Sequence, residues 1–339
     1  MDAIFCVRTA CDISHQLVPF FLRFWDRNSV VRRPKHSLTN FNKDIRRNKG
    51  VLYLYSPLLF YRYLASGCTM TDLHYSYRLG ISTISKIIRE VCDAIVTVLQ
   101  EISMPRPNKE MFLKIAEGFE KDANFPHVIG AVDGKHIRIE SPEDSGSLYF
   151  NRKLYFSVIL MAVVDSNYKF VYVNVGSYGK DADSSIFQRT PFWKNPQFPV
   201  PYFLLGDEGF GLHRRLLRPF GGANLELKKR IFNYRLCRGR RFVECAFGIL
   251  SNKFRIFHRP LNVEIDFAIK LVKSACILHN FIRDRDGYRF EDTLEIEGWK
   301  DVPPTGNARG GTSAINLRGK LADFFMSKEG AVSWQMSKI

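Results

Sequence analysis

The sequence predicts a mixed α/β fold: a sheet-centred core preceded by a small, helix-turn-helix-like helical domain. Two observations predict it. From about Val51 to Ile102 the apolar residues recur at helical spacing. From His127 to Gly206 they gather instead into short, β-rich runs, and helical spacing returns only at Arg240–Phe254 and Asp266–Ile282. A length of 339 residues fits about two folding units.

The helical region comes first. In Ser82–Ile95, Ile84, Ile87, Ile88, Val91 and Ile95 form one apolar stripe, with Gly80 as a tight turn before it and Ser82 as a candidate N-cap. Shorter helices are expected over Tyr61–Ala65 and Leu73–Tyr77. Helix, Gly-containing turn, helix is the outline of a helix-turn-helix, and Lys86 and Arg89 on the second helix would then meet DNA. An ordinary helical bundle fits the same pattern. Asn108–Glu120 reads as one more helix.

The core follows. His127–Asp133 and His136–Glu140 read as two β pieces around a turn at Gly134. Tyr155–Asp165 is a continuous apolar run, as expected of a strand buried on both faces. Ser166-Asn167 should turn the chain into a strand over Phe170–Val175. Asp183–Phe187 begins a helix, with Asp181 or Asp183 as its cap; the cap is the simpler account of Asp183, and a supporting or fourth carboxylate beside the acids below is the other. Tyr202–Gly206 is a second buried strand, which delivers Asp207. After Arg283 the chain turns polar, with a Pro/Gly linker at Val302–Ser313 and a terminal helix over Ala314–Met326.

Composition limits the function. The net charge is +16, which favours a polyanionic partner, most often nucleic acid. Eleven of those charges lie in residues 213–259, interleaved with Phe220, Phe232, Tyr234 and Phe254. Within that stretch Arg214, Arg215, Lys228, Lys229, Arg230, Arg238, Arg240 and Arg241 are candidates for the phosphate backbone. The seven cysteines are scattered and form no CxxC pair, so neither a disulfide framework nor a structural zinc site is expected. No run reaches the roughly 18–20 apolar residues that span a bilayer, and the opening Met-Asp-Ala-Ile lacks the basic start of a secretory signal. No membrane partner is expected.

Three acids carry the chemistry. Asp133 ends one apolar strand, Asp207 ends another, and Glu244 lies on a helix whose Phe242, Val243, Phe247 and Leu250 can pack on a sheet. Strand interiors disfavour Asp, so a carboxylate at the tip of a buried strand needs a reason. Three antiparallel strands, a helix, a strand ending in an acid and a helix carrying an acid make up the ribonuclease-H-like arrangement. Carboxylates within about 4 Å of one another repel by roughly 4 kcal/mol per pair at an effective dielectric near 20, so they need a cation between them. Oxygen ligands select Mg²⁺ or Mn²⁺ over zinc, and two such ions can open a phosphodiester.

These stretches resemble a known family. IGAVDGKHIRIESPEDSGSLYFN (129–151), LMAVVDSNYKFVYVNVGSYGKDADSSIF (160–187), GDEGFGLHRRLLRPF (206–220), FNYRLCRGRRFVECAFGILSNKFRIF (232–257) and ACILHNFI (275–282) are similar to the PIF/Harbinger transposases and the nucleases derived from them, a branch of the DDE superfamily endonucleases. The resemblance runs from about Tyr61 to Ile282 in family order. It implies a ribonuclease-H-like core holding a divalent-metal triad. The family's DGKH acid falls on Asp133, its GDE acid on Asp207 and its RRxxExxFG acid on Glu244.

The implied organisation is a basic, irregular arm over residues 1–50, a helix-turn-helix-like domain over 51–122, the endonuclease core over 123–285, and a linker with a C-terminal helix over 286–339. The implied activity is cleavage of DNA phosphodiesters with two Mg²⁺ or Mn²⁺ ions, and a 3′-hydroxyl could then act as nucleophile in strand transfer. Implied partners are DNA, a separate Myb-like DNA-binding protein and a second copy of the chain. The implied location is the nucleus, with the cytoplasm as the other compartment. The alternative is a catalytically silent, domesticated or decayed relative that binds DNA or protein without cutting. Residues 1–50 depart from the family's longer helical region, and Arg152 stands where the family commonly has an aromatic.

Overall fold

The computed structural model describes residues 49–195, 199, 201–286 and 311–338. The expected basic arm and the Pro/Gly linker fall almost wholly outside them. The described elements run in the order α1 (Lys49–Ser66), α2 (Met70–Tyr77), α3 (Ile81–Ala94), α4 (Gln100–Ser103), α5 (Lys109–Ala123), β1 (Val128–Arg138), β2 (Ser157–Val164), β3 (Phe170–Tyr178), α6 (Asp183–Arg189), α7 (Pro191–Lys194), β4 (Phe203–Leu205), β5 (Leu216–Leu217), α8 (Leu227–Lys253), α9 (Ile265–Asp286) and α10 (Thr312–Phe324). The fold is mixed α/β, as the sequence predicts. None of the described helices is long and apolar enough to cross a membrane.

The chain divides into two compact units. One takes described residues 49–104, 138–144 and 250–286. It is helical. The predicted stripe of α3 is buried at Ile84, Ile87, Ile88 and Val91. Ser82 is not its cap: the helix starts at Ile81, Gly80 holds the cap position, and no side chain caps the helix. Beyond α3 the chain passes through a π-helical turn, Ile95–Leu99, into α4. Helix α2 is fixed at its start by a reciprocal pair. The Asp72 amide donates to Thr69 Oγ1 at 3.0 Å, and the Thr69 amide donates to Asp72 Oδ2 at 2.7 Å. Such a box is worth about 1 kcal/mol. Helix α9 is secured within this unit by buried polar contacts: Asn280 Nδ2 donates to the Ser103 carbonyl at 2.9 Å, and Ser274 Oγ to the Cys92 carbonyl at 3.3 Å.

The other unit takes residues 105–137, 145–249 and 311–338 among those described. It holds a five-stranded mixed sheet of order β3-β2-β1-β4-β5. Strand β2 is buried at every position and pairs antiparallel with β3, with Met161 opposite Asn174. Strands β1 and β4 are parallel, with Val128 opposite Phe203 and Ala131 opposite Leu205, and β4 is parallel to β5.

Two local expectations change and one holds. Gly134 does not turn the chain: β1 runs through it as one strand. The β2–β3 hairpin turns at Ser166-Asn167 as expected, and Asp165 Oδ1 steadies it by accepting from the amides of Asn167 (2.9 Å) and Lys169 (2.8 Å), with Tyr168 at positive φ. Helix α8 begins at Leu227, well before the expected start at Arg240. Its cations hide an apolar face, since Ile231, Phe232, Leu236, Val243, Ala246 and Phe247 are all buried.

Candidate active site

Each acid is positioned by a different element. Along β1 burial gives way at Asp133, after five fully buried residues, so this carboxylate stands where the strand leaves the core. Asp207 follows β4 by two residues, and its Oδ1 accepts from the Gly209 amide at 2.9 Å. That bond fixes the carboxylate in the turn after the strand. Glu244 lies on α8. Gly239, one turn earlier, lets this helix approach β4, since a Cβ there would come within 2.4 Å of Leu205 Cδ1. The ring of Phe242 against Phe119 (5.3 Å) and that of Phe247 against Phe170 (6.2 Å) set the helix's rotation.

The acids feel one another. Burial raises Asp133 to about 7. The Arg240 guanidinium opposes that rise, and the charges of Asp207 and Asp183 add to it. Burial also raises Glu244; Arg240 and Arg241 hold it down, and Asp207 pushes it further up. Asp207 is thus within electrostatic reach of both other members of the predicted triad. No three His, Cys, Asp or Glu side chains among the described residues stand ready-grouped around an ion. The reason is visible in Arg240. Its Nη2 lies 3.0 Å from Glu244 Oε1 and 3.9 Å from Asp133 Oδ2, with the side chain only 11% exposed. A cation of the protein's own already sits between two of the acids. The donor set is oxygen only, which fits Mg²⁺ or Mn²⁺ and not a thiolate-bound metal.

Two residues near the acids read first as something else in the sequence. The first is Arg240, which reads as a phosphate contact; its position four residues before Glu244 on a helix is the signal of an ion pair. The second is Asp183, which reads as a helix cap ahead of a supporting or fourth carboxylate. Ala182 occupies the cap position instead, and no side chain caps α6. Asp181, the other candidate cap, pairs with Arg189 at 3.1 Å. Burial raises Asp183 to about 6, Asp207 adds to the rise, and Lys153 opposes it.

The remaining basic candidates scatter. Arg214, Arg230 and Arg241 are exposed. Arg215 reaches the carbonyls of Trp193 and Asn195, and Lys229 pairs with Glu226 at 3.6 Å. Lys228 pairs with Asp323 at 2.8 Å, and Arg238 lies over the Trp334 ring at 4.6 Å. In the helical unit Lys86 is exposed and 3.9 Å from Glu90, while Arg89 pairs with Glu264 (3.3 Å) over the ring of Phe267. His136 is held at 2.9 Å from Ser157 Oγ, which also accepts from Asn151 Nδ2. The five described cysteines are free thiols. Burial raises Cys245, beside Glu244, to about 11, which leaves it an inert thiol.

Known proteins match this region. Residues 132–280 match the model of the DDE superfamily endonucleases. The chain is 25% identical over 250 residues to "Protein ALP1-like" of Arabidopsis thaliana, covering 68% of this chain and 61% of that protein. It is 24% identical over 229 residues to "Putative nuclease HARBI1" of Rattus norvegicus, 64% of each chain, and 21% identical over 248 residues to its Homo sapiens namesake, 71% of this chain and 70% of that one. The match thus spans less than two thirds of the length of the first two relatives. No solved structure matches significantly. One acid on β1, one after β4 and one on α8 all lie inside the region, residues 132–280, that is similar to the DDE superfamily endonucleases.

Proposed function

We propose that this chain is a metal-dependent endonuclease that opens DNA phosphodiesters at Asp133, Asp207 and Glu244. The observation that carries the reading is the mutual reach of three acids from β1, the β4 turn and α8 inside a region matching DDE endonucleases. The names of the mammalian relatives, which call them nucleases, support the same reading. The order of strands and helices fits a ribonuclease-H-like core.

Asp133, Asp207 and Glu244 would hold the divalent ions, Mg²⁺ or Mn²⁺. Bound there, two ions would lower the pKa of an attacking water and neutralise charge on the leaving oxygen. The chain's own residues do the rest. Asp133 and Glu244 must exchange the Arg240 guanidinium for the ion, so Arg240 guards the acids against mutual repulsion before loading. Exposed Arg241, beside Glu244, and exposed Arg230 and Arg214 supply positive charge for the DNA backbone. In the hydrolysis the water oxygen bonds to phosphorus, the bond to one deoxyribose oxygen breaks, and that oxygen takes the proton. A freed 3′-hydroxyl could repeat the attack on a second strand.

The helical unit gives weaker support to DNA recognition. Helices α2 and α3 are joined by three residues, with Arg78 in the left-handed conformation, which suits a helix-turn-helix. Of its two cations, Lys86 is placed to reach DNA, whereas Arg89 is tied to Glu264. A Myb-like partner, a homo-oligomer and a nuclear location complete the reading.

The test is nicking of supercoiled DNA in Mg²⁺ or Mn²⁺ against EDTA, wild type beside Asp207→Asn. The expected result is metal-dependent nicking that falls on the order of 10³-fold or more in the variant. Salt-sensitive binding with no nicking by either protein would instead favour a silent, DNA-binding relative.

A further inference from the structure

The chain between β1 and β2 ends in a tongue, residues 149–157. The Ser157 amide donates to the Tyr149 carbonyl at 2.8 Å, and the Asn151 amide to the Tyr155 carbonyl at 3.0 Å. Phe150 and Phe156 pair across it, with their rings 5.2 Å apart. Its base is fixed from within. Asn151 is buried, its Oδ1 accepting from the Lys153 amide at 2.8 Å and its Nδ2 donating to Ser157 Oγ at 2.8 Å. Ser157 Oγ in turn lies 2.9 Å from Nδ1 of His136 on β1. Gly179, just after β3, lets the tongue close in, since a Cβ there would stand 2.6 Å from Ser157 Oγ.

The tip is built differently. Arg152, Lys153 and Leu154 are all exposed. No acid lies in ion-pair contact with either cation among the described residues. Leu154 is 78% exposed and stands at φ 64°. A lone exposed Leu is ordinary. A Leu held in the left-handed region is not: it costs about 1–2 kcal/mol, and glycine would take the position without strain. Burial within the chain does not offset that cost, because the side chain stands in solvent. The tongue also lies beside the acids. His136, which holds its base, is three residues along β1 from Asp133, about 10 Å at the rise of a strand, or about three base steps of DNA. Lys135 and His136 both feel the positive charge of Lys153. We infer that this tip is a wedge for duplex DNA: Arg152 and Lys153 grip the backbone while Leu154 enters between neighbouring bases and parts their stack, within about three base steps of the phosphate opened at the acids. Burial between bases is then what offsets the strain at Leu154. The inference rests on the reading of DNA as the substrate, and adds to it a device that deforms the duplex before cutting.

The test uses the full chain in EDTA, so that no strand is cut, and a duplex carrying 2-aminopurine in place of adenine, whose fluorescence rises when the base leaves the stack. Wild type should raise that fluorescence about twofold or more. Leu154→Gly should bind within about tenfold of wild type and leave the signal at the free-duplex level. Its melting should be unchanged or raised, because glycine accepts the left-handed backbone. Leu154→Met should keep the signal. Arg152→Ala and Lys153→Ala should each lower the salt slope of binding by about one unit. A signal as large in Leu154→Gly as in wild type, or wild-type binding with no signal at all, would overturn the wedge and leave the metal-dependent reading to its own nicking test. A wedge signal from a protein that nicks nothing in Mg²⁺ or Mn²⁺ would overturn that reading and uphold this one. Absence of any duplex binding by the wild type would overturn both.

Discussion

The two halves of α8 carry the same kind of residues to different ends. In the first half Lys228, Arg235 and Arg238 face the C-terminal segment. Arg235 lies 3.9 Å over the ring of Phe325 and donates to the carbonyls of Gly330 (2.6 Å) and Asn124. Arg238 lies on Trp334, and Lys228 pairs with Asp323. Arg318 of α10 answers from the other side, over the ring of Phe220 at 4.0 Å and donating to the Pro219 carbonyl at 2.9 Å. In the second half Arg240 faces carboxylates and Arg241 faces solvent beside Glu244. Charge density along a sequence therefore counts cations without saying what they meet. Rings and carbonyls engage Arg235 and Arg238, whereas carboxylates engage Arg240.

The largest effect expected from breaking this division is in the first half. Phe325 is fully buried, its ring 4.9 Å from that of Phe125 and 6.1 Å from that of Phe232. Phe325→Ala should cost about 3–5 kcal/mol in denaturant unfolding. Mn²⁺ affinity at temperatures where the variant stays folded should not change. A matching loss of Mn²⁺ affinity would mean that the two halves are not independent.

The next effect belongs to Arg240. Arg240→Met leaves Glu244 without its donor, an expected loss of about 1–3 kcal/mol in metal-free stability near neutral pH. The same change removes the ion's competitor, so Mn²⁺ should bind more tightly and raise the melting temperature more than in wild type. Weaker Mn²⁺ binding would make Arg240 a support of the loaded site instead of a substitute for the metal.

The acid end should also show in pH dependence. Asp133 is raised to about 7 and Asp183 to about 6, against about 3.9 for an unfolded Asp. The native state then holds protons that the unfolded state has released. Their contribution to metal-free stability is complete below about pH 4 and is lost as pH rises through 6 and 7. Asp133→Asn should flatten the melting curve's fall between pH 5 and pH 8 measured in EDTA. Phe325→Ala should leave that slope as it is.

The smallest effect separates exposed from engaged cations. Arg230 is exposed and makes no ion pair among the described residues, whereas Lys228 is bound to Asp323. Arg230→Ala should lower the salt dependence of DNA binding by about one unit of slope. Lys228→Ala should lower it less and leave melting unchanged.

Much of this was legible in the residues. The stripe of α3, the run of β2 and the strand before Asp207 follow from periodicity; Asp133 and Asp207 stand out by their place at strand ends, and Glu244 by the family resemblance. What was not legible depends on partners distant in sequence. Gly134 reads as a turn because glycine weakens strands, and its purpose is apparent only once Asp183 lies across it. The start of α8 is masked because its apolar positions are separated by arginines that the C-terminal segment buries. Arg240 reads as a phosphate contact until its helix places it over two acids.

On the proposed function, the acid end of the sheet is a divalent-metal centre. Anomalous diffraction at the manganese edge, from crystals of the full chain grown with Mn²⁺, tests it most directly. The account expects a peak bounded by Asp133, Asp207 and Glu244, with the Arg240 guanidinium turned away from Asp133. A fully ordered site with no peak, and Arg240 still bridging Asp133 and Glu244 at saturating Mn²⁺, would contradict it.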